Sequence, residues 1–152
     1  MRRLLLRAGI ALALVLSGVV PAHAACTIST TPLVFGAYDV FAVTPLDSAG
    51  SVTFHCTATD KDIVITLDRG GAPTFNPRRM LNGAEQLTYN LYLDAARTTI
   101  WGDGTGGTQT FANHNPQGNN RDIVLPIFGR IPAGQDVRAG TYTNTITATI
   151  QF

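Results

Sequence analysis

Residues 141–152 read Thr-Tyr-Thr-Asn-Thr-Ile-Thr-Ala-Thr-Ile-Gln-Phe, and this stretch decides the fold. Tyr142, Ile146, Ala148, Ile150 and Phe152 share one parity; Thr141, Thr143, Thr145, Thr147 and Thr149 share the other, and Asn144 alone breaks the apolar set. In an extended chain successive side chains point to opposite faces, so this period of two predicts a half-buried β-strand and fits no helical phase. Threonine on the outer face suits a pleated surface.

The same period recurs upstream. Over Ser51–Thr59, Val52, Phe54, Cys56 and Ala58 alternate with Thr53, His55, Thr57 and Thr59; over Asp62–Asp68, Ile63, Ile65 and Leu67 share a face before Arg69-Gly70-Gly71 signals a turn. Thr88–Asp94 and Asp122–Phe128 are further strands, the second weakened by Pro126. An N-terminal strand carries Cys26 and Ile28, meets Pro32 and continues through Leu33 and Phe35, which argues for a sheet edge or a switch of sheet. Gly102–Arg121 reads as a long loop with a short strand near Thr108–Phe111. Short strands, turn signals and no helical stretch predict an all-β fold: a single antiparallel Ig-like β-sandwich.

Composition agrees and narrows function. The 152 residues include 20 Thr but one Lys (Lys61) and one Glu (Glu85), so strong helix formers are scarce. The net charge of +1 carries neither the basic footprint of a nucleic-acid binder nor a polybasic membrane patch. Arg2, Arg3 and Arg7 precede an apolar run, Ala8–Val20, and an Ala22-His23-Ala24 site, the pattern of a secretory signal cleaved after Ala24. The run is shorter than the roughly 20 residues that span a bilayer, so no transmembrane segment is expected in the mature chain. The domains are therefore read as 1–24, leader, and 25–152, β-sandwich. In an exported protein two cysteines are expected to form one bridge, Cys26–Cys56, worth about 3.6 kcal/mol in the chain-entropy account. A metal site on this pair would need closer spacing and histidine partners.

No catalytic, cofactor-binding or metal-ligating residue is assigned. Gly102, Gly104 and Gly107 match G-x-G-x-x-G but open no helix that could hold a phosphate, and Asp103 lacks neighbouring carboxylates for calcium; both read as turn. Ser29, Ser48 and Ser51 lack a nucleophile-elbow sequence, and His55 and His114 read as surface residues. Arg78 and Arg79 follow Asn76-Pro77 and read as decorating a turn.

Taken in order, Cys26, Phe35-Gly36-x-Tyr38, Cys56, Arg79, Tyr89-x-Leu91-Tyr92-x-Asp94, Trp101-Gly102-Asp103-Gly104, Phe128-Gly129-x-Ile131-Pro132, Gln135 and Gly140-x-Tyr142 form a series that resembles the spore coat protein U domain family. The resemblance, which includes subunits of archaic chaperone-usher pili, implies a sandwich lacking its last strand and completed by a donor strand. It implies export to the periplasm, capture by a periplasmic chaperone, transfer to an outer-membrane usher and assembly with other pilus or coat subunits at the cell surface. On that footing Tyr142, Ile146, Ala148, Ile150 and Phe152 are the expected chaperone and donor-strand interface. With only Ala25 between the leader and Cys26, the subunit is expected to accept a strand without supplying one, at a fibre tip or in a coat. The alternative is a self-contained secreted or periplasmic ligand-binding module using the Gly102–Arg121 loop and an exposed Trp101.

Overall fold

The structure, a computed structural model, describes residues 26–56, 62–114 and 121–152. The leader, the end of the Ser51–Thr59 strand with Ala58, and positions 115–120 of the long loop lie outside them. The described residues form β1 (Cys26–Thr31), β2 (Leu46–Cys56), β3 (Ile63–Leu67), β4 (Arg78–Asn82), β5 (Glu85–Tyr92), β6 (Phe111–Asn113), β7 (Asp122–Ile131) and β8 (Ala148–Gln151), with no helix among them.

Two antiparallel sheets make the sandwich, one in the order β1-β2-β7-β5-β4 and the other β6-β3-β8. The alternation read from sequence sets what lies between them: Val52, Phe54 and Cys56 from β2, Ile63, Ile65 and Leu67 from β3, and Leu87, Tyr89 and Leu91 from β5 are all buried in one core. Cys26 sits directly opposite Cys56 in the β1–β2 register and is bonded to it, as expected from the cysteine count.

Three sequence expectations are corrected. The strand around Pro126 is longer than read: β7 runs to Ile131. β5 meets it only at Phe128–Arg130, so Pro126 has a strand neighbour on the β2 side alone, where a missing donor is tolerated. The N-terminal strand ends at Thr31, and Leu33 and Phe35 pack on the core without joining a ladder. The C-terminal pattern is not one continuous strand either. Only Ala148–Gln151 pairs with β3; further back, Thr143 bridges Leu81 at the edge of β4. The chain thus crosses from the first sheet to the second between Thr143 and Ala148, and its side chains keep alternating throughout.

Candidate functional site

Along that crossing the sandwich is open. A groove of about 990 Å³ has a floor of Leu67, Met80, Leu87, Tyr89, Leu91, Ile127 and Ile131 and two walls, residues 30–41 and the C-terminal segment from Val137 to Ala148.

The first wall is placed by small residues beneath it. A Cβ built on Gly129 would lie 2.7 Å from Leu33 and 2.8 Å from Phe35, so both side chains reach the sheet only because β7 carries no side chain there. Phe35 then meets Tyr89 edge-on, at 5.9 Å between centroids. Tyr38 ties down the far end, donating to the Pro132 carbonyl at 3.0 Å and accepting from the Gln135 amide at 2.9 Å. Gln135 in turn accepts from Thr88 N at 2.7 Å and donates to Thr88 O at 2.9 Å. Tyr38 and Gln135, known from sequence only as elements of the resemblance, thereby lock this wall to β5.

The second wall hangs on a few polar contacts. Thr143 and Leu81 exchange both backbone bonds, at 2.9 and 3.1 Å. Asp68 N donates to Thr147 O, and its carboxylate accepts from Thr147 N, each at 3.0 Å. Between these anchors Asn144 Nδ2 donates to the Tyr89 hydroxyl at 3.0 Å. Burial holds the Tyr89 hydroxyl above its ordinary pKa, a rise that the bond from Asn144 moderates.

Behind the floor lies a cluster that the sequence concealed. Arg78 is completely buried, not solvated in a turn: it is the first residue of β4, and its guanidinium donates to Asp68 O at 3.0 Å, Asn90 Oδ1 at 2.8 Å and Trp101 O at 2.6 Å over the Phe75 ring. Desolvation lowers its pKa from the ordinary value. Trp101 is completely buried too, with Nε1 donating to Ile65 O at 2.9 Å, so it cannot be the exposed anchor of a binding loop. Neighbouring Arg79 stays half-exposed and donates across the hairpin to Gln86 at 2.9 Å. No single-residue signal distinguishes the two arginines; the alternation of β4, which buries Arg78 and Met80, would have done so had the strand been read.

Of the expected interface residues, Tyr142, Ile146 and Ala148 line the groove, whereas Ile150 packs on the core beside it and Phe152 is exposed. The opposite wall, Leu33 to Tyr38, was missed as part of a site; its signals were the Pro32 interruption and the Phe35-Gly36-x-Tyr38 element of the resemblance. Asp103 is part of a turn as read, its carboxylate accepting from Thr105 N at 2.9 Å and Thr105 Oγ1 at 2.6 Å. His55 and His114 lie apart, each 2.9 Å from an aspartate, Asp122 and Asp62 respectively. No group of three or more His, Cys, Asp or Glu gathers among the described residues, and no described helix is long and apolar enough to cross a membrane.

Fold and groove together define an Ig-like antiparallel sandwich, open along one side. The Spore Coat Protein U domain model matches residues 12–149, and the chain belongs to that family. It is 34% identical over 131 residues to Protein U of Myxococcus xanthus, covering 78% of this chain and 70% of that one. Among solved structures it is similar to a chain of the CsuC–CsuE chaperone–tip adhesion subunit pre-assembly complex from archaic chaperone-usher Csu pili of Acinetobacter baumannii. The TM-score is 0.58 at 20% identity, over 85% of this chain and 40% of that chain, a likeness of fold.

Proposed function

We propose that this protein is a non-enzymatic structural or adhesive subunit of a surface pilus or coat, whose groove is filled by a strand from a chaperone and then from another subunit. The observation that carries the reading is backbone accounting at the groove. Among the described residues, Asn144, Thr145 and Ile146 make no backbone–backbone hydrogen bond, and the facing residues Leu33 to Ala37 make none either, with the Val34 carbonyl accepting from the Ser48 hydroxyl. Such edges offer an extended polypeptide ladder bonds, while the floor offers apolar contacts to alternate side chains, the mode of β-augmentation. Family membership and the fold shared with a chaperone-usher pilus complex support this partner class. The route is export to the periplasm, a periplasmic chaperone, an outer-membrane usher, and the cell surface or a fibre. The finer reading, an acceptor that supplies no strand, rests on the cleavage after Ala24 expected from the sequence and on β1 being fully engaged with β2. Bonding of Cys26 to Cys56 holds that strand in its own domain.

The test is a fusion. A strand of alternating apolar residues joined by a flexible linker to the end of the mature chain should raise the melting temperature by roughly 10 °C, since binding only the native state stabilises it by mass action. Ile146→Asp, which places a charge in the groove, should cancel the rise, and Thr145→Asp, on the outer face, should keep most of it. Equal melting of fused and unfused chains would identify a complete sandwich and sink the proposal.

A further inference from the structure

Polar residues such as Thr30, Asp39 and Arg138 stand around the groove, but its floor and the inward row of its C-terminal wall are apolar except at one place. In the inward row of the C-terminal wall, Tyr142, Asn144, Ile146 and Ala148, Asn144 alone has no apolar body, and its amide meets the hydroxyl of Tyr89 on the floor. Tyr89 is 4% exposed, yet no acceptor for its hydroxyl proton and no donor to Asn144 Oδ1 exists among the described residues. Turning the amide over exchanges these open groups for an unpaired N–H; in each orientation the pair retains hydrogen-bonding capacity that its neighbours leave unmet. The amide is fenced in. A Cβ on Gly70 would come within 2.5 Å of both Asn144 Nδ2 and Oδ1, so Gly70 closes one side while Tyr89 closes another.

We infer that the Asn144–Tyr89 pair is a register pin, which selects an incoming strand carrying a small hydrogen-bonding side chain, Ser, Thr or Asn, at one inward position among apolar ones. The inference rests on the strand-accepting reading and specifies its ligand. Apolar alternation cannot fix where a strand stops, because a slip of two residues presents the same face again. A polar pair in an apolar slot can. An aliphatic group set against it leaves a desolvated hydrogen-bonding group without a partner, whereas a hydroxyl or amide satisfies it, and sites built this way reject the analogue lacking the polar atom. The logic is that of a single polar residue in a coiled-coil seam, which sets register at some cost in stability.

The probes are synthetic strand peptides about ten residues long, with Val at every inward position, and a matching set in which one Val is replaced by the isosteric Thr at each inward position in turn. Binding is measured to the mature disulfide-bonded protein. One Thr position should bind roughly fivefold or more tighter than the all-Val peptide, the size of one net hydrogen bond, and the other positions should bind no better or worse. In Tyr89→Phe, which removes one oxygen from a buried ring, and separately in Asn144→Leu, the ratio of Thr to Val binding at that position, measured within each variant, should fall to about one. Peptide binding without positional preference, or a preference unchanged in both variants, overturns the pin and leaves the groove reading standing. A groove that binds an acyl-chain probe and none of the peptides overturns both.

Discussion

Ile65 of β3 and Ile150 of β8 are partners in one register, face the same core and end flanking residues of the same alternating kind. Ile65 is fully buried; Ile150 stays half-exposed. The difference lies in their neighbours. β3 has β6 on one side and β8 on the other, whereas among the described residues β8 is hydrogen-bonded to β3 alone and has β1 close by without a ladder between them. An alternating sequence therefore states which face of a strand is apolar, and the neighbouring strands decide whether that face is covered. The closed side gathers Trp101, Arg78, Ile63 and Ile65; the open side gathers residues 30–41 and 142–148 over a floor that begins at Leu67.

Trp101→Ala should break the closed side outright. Loss of a completely buried indole and its bond to Ile65 O is expected to cost about 3–5 kcal/mol, read by chemical denaturation, and an occupied groove should not restore it. A loss below about 1 kcal/mol would mean that the indole is not part of a packed core.

The paired isoleucines sharpen the contrast. Ile65→Ala should cost about 2–5 kcal/mol and Ile150→Ala about 1 kcal/mol or less in the unoccupied protein, because a half-solvated side chain loses less transfer free energy and leaves a smaller cavity. Equal costs would show that the flank beside β8 is as well covered as the centre.

The smallest effect concerns acid. Asp94, half-exposed, accepts from Thr98 N, Thr98 Oγ1 and Thr99 N, bonds that pull its pKa from the ordinary 3.8 down to about 2 and hold the turn leading to Trp101. A folded pKa below the unfolded one contributes stability that is present above about pH 4 and is lost as pH falls toward 2. Asp94→Asn should therefore lower stability at neutral pH and flatten this part of the profile. Asp47, whose pKa is lowered by its hydrogen bond to Arg130, and Asp103, lowered by Thr105, should leave a residual slope. An unchanged profile in Asp94→Asn would remove the turn from the account.

Much of this was legible. β2, β3, β5 and β7 each announce themselves by an inward row such as Val52-Phe54-Cys56, and the cysteine pair follows from its number once export is read. What escaped depends on contacts distant in sequence. Arg78 looks like a surface residue until Asp68, Asn90 and Trp101 bring their oxygens to it, and Trp101 looks like an available aromatic until Ile65 supplies its acceptor. The row from Tyr142 to Ile150 was correctly read as one face, but the alternation persists through a change of sheet, so it could not reveal that only the last part is laddered. Leu33 and Phe35 show the converse: strand-like residues that lie on a sheet without joining it, in space left by Gly129.

The bond between Cys26 and Cys56 has a mechanical meaning as well. A pull applied to the chain at Cys26 passes through the disulfide straight to Cys56, so the residues between them, including the wall from Thr30 to Phe41, hang in a loop that bears no tension. Load entering from that direction bypasses the β1–β2 ladder and cannot peel it open, so the first wall of the groove is spared, whereas the floor and the second wall lie outside the loop and carry whatever load passes beyond Cys56.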